Sequence, residues 1–297
     1  MNDVINPIIV LNALGVNDVT EIVPHAGGWG GTMLWRVQRP ATPRDLLLRV
    51  FPHGASDLAG REAIAHRIAS QAGVPVPKVI ASGVSGAHAA LLLTWCRGES
   101  VADHLRGAPE RSYEIGVACG ETLARIHTIP GSESLQAVLR EDSSNDWISW
   151  AGPYAERLRA ACAARYPNGF PSRLLHMDYH PKNVLCDGTS ITAVIDWANV
   201  RVGPPFADLA RSRSILRLAQ LQLPEAFHAP LARFEQGMLD AHARDHGPSE
   251  DEEFFLAWAS AVQVADLGPK IGKPGVWLTP DAFATLHDEC DRRISSL

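Results

Sequence analysis

His176-Met177-Asp178-Tyr179-His180-Pro181-Lys182-Asn183, followed thirteen residues after its asparagine by Asp196 within Val194-Ile195-Asp196-Trp197, decides the reading of this 297-residue chain. Between the two lie Val184-Leu185-Cys186, the turn-forming Asp187-Gly188-Thr189-Ser190 and the apolar run Ile191 to Ile195. That succession reads as a short hairpin. A hairpin there brings Asp196 back beside Asn183. Two oxygen donors from its ends, with phosphate oxygens and water completing the shell, suit the octahedral demand of Mg²⁺, which rarely has an all-protein cage. Asp178 then stands close to the ion, free to accept a proton from a hydroxyl.

The spacing His-x-Asp-x-x-x-x-Asn is that of a phosphoryl-transfer loop, in which the Asp takes the proton of the attacking hydroxyl and the Asn binds metal. A three-residue pattern alone is suggestive only. The blander reading has His176 and Asn183 satisfying loop backbone groups and Asp178 acting as a cap. That reading leaves the upstream features without an explanation.

Residues 19 to 51 carry three short apolar runs, Val19 to Val23, Met33 to Val37 and Leu46 to Phe51, and predict an antiparallel meander. Its first turn contains Gly27, Gly28, Gly30 and Gly31. Such a turn either lets backbone amides cradle phosphate or is a plain hairpin loop, since Met33 stands where a third motif glycine would be. A helix follows from Asp57 to Ala72, ended by Gly73-Val74-Pro75, and then two strands, Val76 to Ala81 and Ala89 to Trp95. Glu62 lies in that helix. The cation able to pair with it on the third strand is Arg49; none of the four lysines precedes residue 78. Arginine keeps its charge and can grip phosphate or carboxylate with two N–H groups, although its geometry is not that of lysine.

Taken together, these residues resemble the aminoglycoside phosphotransferase and choline kinase family, small-molecule relatives of the protein kinases. The likeness rests on the glycine turn, Arg61-Glu62, Gly73-Val74-Pro75-Val76-Pro77, Leu91 to Gly98, Ile195-Asp196-Trp197 and Gly203 to Ala210, and spans about Thr20 to Arg211. It implies an α+β, two-lobed protein-kinase-like fold, with a nucleotide-binding lobe over residues 1–97 and a larger, mainly helical catalytic and substrate lobe over 98–297. By position, it implies that Thr94 and Cys96 present backbone groups to a nucleobase and that Asp178 is catalytic. It further implies that Asn183 and Asp196 hold Mg²⁺, that His176 braces the loop and that Asp208 supports the loop backbone. His180 either lines the acceptor site or packs beneath the loop.

Beyond residue 210 long apolar periodicity predicts helices over 206–222, 225–246, 250–267 and 281–296. Residues 219–297 hold thirteen acidic against six basic side chains, within a net charge of −6 for the whole chain. An acidic subdomain would favour a cationic acceptor, and Asp266, among apolar neighbours, is the best candidate to touch it. Most of these acids read as solvated helix-start residues. The modest charge argues against nucleic acid as a partner. Five scattered cysteines fit neither a zinc site nor a disulfide framework and point to a reduced cytoplasm. The apolar run Ile8 to Leu11 lacks the basic flank of a signal peptide, and no run is long enough to span a bilayer.

The expectation is therefore a kinase that moves the γ-phosphoryl group of ATP, or of GTP, to a hydroxyl of a small molecule such as an aminoglycoside or another antibiotic. A metabolic kinase for a sugar, amino alcohol or amino acid is the first alternative. A nucleotide-binding pseudoenzyme without transferase activity is the second.

Overall fold

A computed structural model of the chain describes residues 5–26, 31–139, 146–188, 190–249, 251–273 and 278–297. The chain divides into two compact units, residues 1–98 with 192–199, and residues 99–191 with 200–297.

The first unit is organised by alternation along its strands. In β3 (Asp45–Val50), Leu46, Leu48 and Val50 are fully buried on one face, while Leu47 and Arg49 turn to the other. With β1 (Glu21–His25), β2 (Met33–Gln38), β4 (Val79–Ser85) and β5 (His88–Thr94) it forms an antiparallel sheet in the order β1-β2-β3-β5-β4. Both faces of β5 are covered. Ala90 and Leu92 join the β3 leucines beneath α1 (Pro7–Ala13), which contributes Val10 and Leu11. Ala89, Leu91 and Leu93 face α2 (Ser56–Gln71) and pack with its Ala59 and Ala63.

The expected meander is thus the first part of a five-stranded sheet. The strand expected from Val76 begins at Val79 and runs on to Ser85; Pro75 and Pro77 have no N–H to give a ladder, which delays pairing. Pro24 is tolerated because β1 is an edge strand. The run Ile8 to Leu11 is the core of α1, a helix whose Asn6 side chain accepts the Ile8 amide.

In the second unit, β6 (Glu99–Ser100) and α3 (Val101–Gly107) precede the long α4 (Ser112–Ile126), α5 (Glu133–Leu139) and α6 (Ala155–Arg165). Next come β7 (Arg173–Leu175), β8 (Val184–Cys186) and β9 (Ile191–Val194), the last leading back into the first unit, and then β10 (Arg201–Gly203), antiparallel to β7. The predicted helices of the carboxyl-terminal part are present as α7 (Pro205–Gln220), α8 (His228–His246), α9 (Glu252–Leu267) and α10 (Pro280–Ser295). Asp251 caps α9 and Thr279 caps α10 through side-chain oxygens. A core of Trp147, Phe254, Phe255 and Trp258 anchors this end, with the Trp258 indole donating to the Trp147 carbonyl at 3.0 Å.

α4 and α8 pack at backbone contact. A Cβ on Gly120 would drive into the Met238 carbonyl, and one on Gly237 into the Tyr113 carbonyl. Only residues without side chains permit that approach. It sets the end of α4 directly against the last turns of α8.

Candidate active site

The loop from β7 to β8 carries His176, Asp178, His180 and Asn183. Met177 within it adopts φ 67°, a conformation that costs a side-chain-bearing residue roughly 1–3 kcal/mol. The compensation comes from Asp208 in the first turn of α7. Fully buried, its Oδ2 accepts the His176 N–H at 2.6 Å and its Oδ1 the Met177 N–H at 2.8 Å. The loop is held from other sides too: the Tyr179 hydroxyl donates to the Cys119 carbonyl at 2.8 Å, and the Ala102 N–H to the Pro181 carbonyl at 2.9 Å. His176 braces it internally, its Nδ1 accepting the Asp178 N–H at 3.2 Å.

On this frame Asn183 Nδ2 donates to both the Asp178 carbonyl and Asp178 Oδ2, each at 3.0 Å. The amide is thereby oriented, and its Oδ1 takes part in none of the described hydrogen bonds. His180 Nδ1 accepts the Lys182 N–H at 3.3 Å, and its Nε2 lies 3.1 Å from Asn183 Nδ2 and 3.6 Å from Asp178 Oδ1. Burial alone would raise the Asp178 pKa. The hydrogen bond and charge of His180, followed by the charges of Arg211 and His176, overcome it and bring the carboxyl down to about 2.

Arg211, one turn after Asp208 on α7, is a residue that the sequence reading missed. It is buried, its Nε and Nη1 have no hydrogen-bond partner among the described residues, and burial lowers its pKa against the opposing charges of Asp178, Asp266 and Asp208. The i,i+3 spacing from Asp208 was the available signal. Asp266 is itself exposed and ion-paired to Lys270 at 2.7 Å. Other acids of these helices are similarly engaged: Glu235 and Glu252 by Arg213, Glu289 by Arg217 and Glu253 by Arg293.

In the first unit, Arg49 projects from the α2 face of β3, its guanidinium 5.1 Å from the centre of the Phe51 ring. Its Nη1 lies 3.2 Å from Glu62 Oε1 and its Nη2 donates to Asp196 Oδ1 at 2.9 Å. Burial would lower the Arg49 pKa, but the charges of Glu62 and Asp196 outweigh it and raise it. Glu62 is wholly buried. Neither of its oxygens has a hydrogen bond among the described residues, so it holds Arg49 through charge. Asp196 adopts φ 62°, which an aspartate tolerates better than most residues. Trp197 is buried against α2, its Nε1 donating to the Val194 carbonyl at 3.0 Å.

Thr94 ends β5, with its Oγ1 accepting the Lys78 N–H at 2.9 Å. The Cys96 thiol lies 3.9 Å from the Thr94 carbonyl, and burial pushes its pKa up to about 11 despite that contact. Gly31, with φ 84°, closes the glycine turn; Gly27, Gly28 and Gly30 lie outside the described residues. The structure therefore gathers His176, Asp178, His180, Asn183 and Asp208 around one loop and Arg49, Glu62 and Asp196 around one guanidinium. Among the described residues no helix is long and apolar enough to cross a membrane.

This architecture has close counterparts among solved structures. A thermostable mutant of aminoglycoside phosphotransferase APH(4)-Ia, in ternary complex with AMP-PNP and hygromycin B, superposes with a TM-score of 0.65 at 14% identity, covering 97% of both chains. An aminoglycoside-3'-phosphotransferase of type VIII gives 0.58 at 22% identity, over 85% of this chain and 96% of the other. The amicoumacin kinase hAmiN, solved with AMP-PNP and Ca²⁺, gives 0.61 at 14% identity, over 94% and 88%. At these identities the likeness is one of fold, and it is the kinase-like α+β fold expected from the sequence. Acyl-CoA dehydrogenase family member 10 of Mus musculus is 28% identical over 241 residues, 71% of this chain; the chain spans only 21% of that relative's length. The profile of the phosphotransferase enzyme family matches residues 21–235, well over half of the sequence, and the chain belongs to that family.

Proposed function

We propose that this chain transfers the γ-phosphoryl group of ATP, or of GTP, to a hydroxyl of a small molecule, with Asp178 accepting the hydroxyl proton. The observation that carries this reading is the pairing of Asp178 with Asn183 at 3.0 Å on a loop whose backbone is clamped by Asp208. An ionised carboxylate on a preorganised loop is what positioning-dominated phosphoryl transfer requires.

Residues 1–97 serve as the nucleotide-binding lobe in this proposal, and residues 98–297 carry the catalytic loop and the acceptor site. Gly27, Gly28, Gly30 and Gly31 approach the phosphates, Arg49 neutralises phosphate charge under the hold of Glu62, and the backbone of Thr94 and Cys96 receives the base. Asn183 Oδ1 and the Asp196 carboxylate are hard oxygen donors of the kind Mg²⁺ selects, which fits them to hold that ion. When bound, Mg²⁺ would neutralise charge on the phosphate oxygens. His176 and Asp208 support the loop. Asp178, kept ionised by His180 and Arg211, needs no prior deprotonation to serve as base.

The fold neighbours favour an antibiotic-like acceptor bearing hydroxyls and amines, for which His180 and Asp266 are the proposed contacts. A metabolic acceptor is the second reading, favoured by the likeness to part of a mouse protein named for acyl-CoA dehydrogenases. The described cysteines are all free thiols, consistent with a proposed cytoplasmic setting. The test is incubation with Mg²⁺ and each triphosphate over a mixed library of aminoglycosides, other antibiotics and hydroxylated metabolites. A gain of one phosphate by a library member, read by mass spectrometry, supports the proposal and identifies the acceptor class.

A further inference from the structure

Behind the catalytic-loop support lies a second cluster that phosphoryl transfer does not use. His127 caps the carboxyl end of α4, and His242 and His246, one turn apart on α8, face it because the glycine contacts bring the two helices together. One ring nitrogen from each of the three lies within 4.8 Å of the others. His127 and His242 are buried and His246 is half-buried, so the cluster reaches from the interior to the surface.

The hydrogen bonds fix where the lone pairs are. His127 Nε2 faces Asp208 Oδ2 at 3.2 Å, so Nε2 carries the proton and Nδ1 presents a lone pair. His246 Nε2 donates to the Ala124 carbonyl at 3.0 Å, which likewise leaves its Nδ1 unprotonated. Orientation of a ligand imidazole by a carboxylate or carbonyl on its far nitrogen is the recurrent outer shell of protein metal sites. In the metal-free chain His242 Nε2 donates to His127 Nδ1 at 2.8 Å, and its own Nδ1 is buried with no hydrogen-bond partner among the described residues; an ion would take the place of that shared proton, which leaves Nε2 as His242 shifts its proton to Nδ1. Three imidazoles, two oriented by a carboxylate or carbonyl on the far nitrogen and one with an orphaned nitrogen, form a donor set for a borderline cation and a poor one for Mg²⁺.

We propose that His127, His242 and His246 bind a divalent transition-metal ion of the Zn²⁺ class, with water as the remaining ligand at the half-buried His246 side. Three histidines and an open position are an established zinc donor set. Because His127 also donates to Asp208, which holds the His176 and Met177 amides, the ion would be linked to the catalytic loop through a single shared carboxylate. Ligation through Nδ1 makes the far N–H a stronger donor and so tightens that contact.

The test uses the full chain without a histidine tag and without nucleotide. Zn²⁺ uptake is measured by equilibrium dialysis, the melting temperature is recorded with and without Zn²⁺, and Co²⁺ substitution is followed by visible absorption. The expected result is uptake of one ion per chain, a higher melting temperature with Zn²⁺ but not with the same concentration of Mg²⁺, and the intense visible bands of four-coordinate Co²⁺. His242→Ala and His246→Gln should each abolish all three. Should His242→Ala fail to fold, His246→Gln at the half-buried position decides alone, its metal-free melting temperature showing that the fold is intact. Absence of uptake by the wild-type chain, or unchanged uptake by a folded His246→Gln variant, would overturn the site.

Discussion

Asp208 Oδ1 accepts the Met177 N–H at 2.8 Å, and Met177 is held at φ 67°. A buried carboxylate thus maintains a backbone conformation that the loop would not keep alone, and the loop in turn carries Asp178. Asp208→Asn replaces one accepting oxygen by an N–H donor facing other N–H groups. The expected cost is about 2–3 kcal/mol in urea denaturation, since hydrogen bonds to charged groups are worth that much. Phosphoryl transfer by the folded variant should fall as well. Unchanged stability would mean that another group holds the loop.

Acid titration offers an independent check on Asp178. Its folded pKa of about 2 lies below the roughly 3.9 of an unfolded aspartate. The carboxylate therefore contributes stability that is fully present above about pH 4 and is lost as pH falls toward 2, amounting to roughly 2 kcal/mol. Denaturation midpoints for the wild-type chain should drop through that window more steeply than those of Asp178→Asn. The Asp178 carboxylate also stays ionised throughout pH 5–8, so if it is the base, as proposed, an acid limb of activity in that range would belong to another group.

Arg49 and Glu62 provide a coupling test. Each single alanine substitution should depress transfer, and the double variant should lose less than the product of the single losses, because the two act as a unit. Arg49→Lys should keep partial activity, with charge retained and two-point geometry lost. Fully multiplicative losses in steady-state kinetics would show that the 3.2 Å contact does not serve catalysis.

The α4–α8 contact predicts the effect of a single methyl group. Gly237→Ala would press its Cβ into the Tyr113 carbonyl, and backbone cannot yield as a side-chain tip can. Destabilisation of about 1–3 kcal/mol is expected from such overpacking, measurable as a lowered melting temperature. A neutral substitution would mean that the helices can separate freely.

Legibility of this fold in the sequence follows the strength of local periodicity. The apolar runs were enough to put Arg49 on a third strand opposite the helix that carries Glu62, and helical spacing announced α7 to α10. The segment from 99 to 172 was opaque for physical reasons. α4 contains Gly116 and Gly120, which read as helix breakers until α8 is seen packed against them. α6 buries only Leu158 among the residues of its own span, so it shows no apolar stripe. Arg211 looked like one of 23 arginines; its meaning comes from burial beside Asp178 and not from its neighbours in sequence. The three-histidine cluster draws on α4 and α8, more than a hundred residues apart, and no spacing rule links His127 to His242.

The most direct measurement compares wild-type chain and Asp178→Asn for transfer of labelled γ-phosphate from triphosphate to whichever acceptor the library screen identifies, with nucleotide affinity measured in parallel. The account predicts that the variant binds nucleotide as the wild type does while transfer falls by roughly 10²- to 10⁴-fold, the usual cost of removing a general base. Near wild-type transfer by Asp178→Asn, or no labelled product from the wild-type chain with any acceptor, would contradict it.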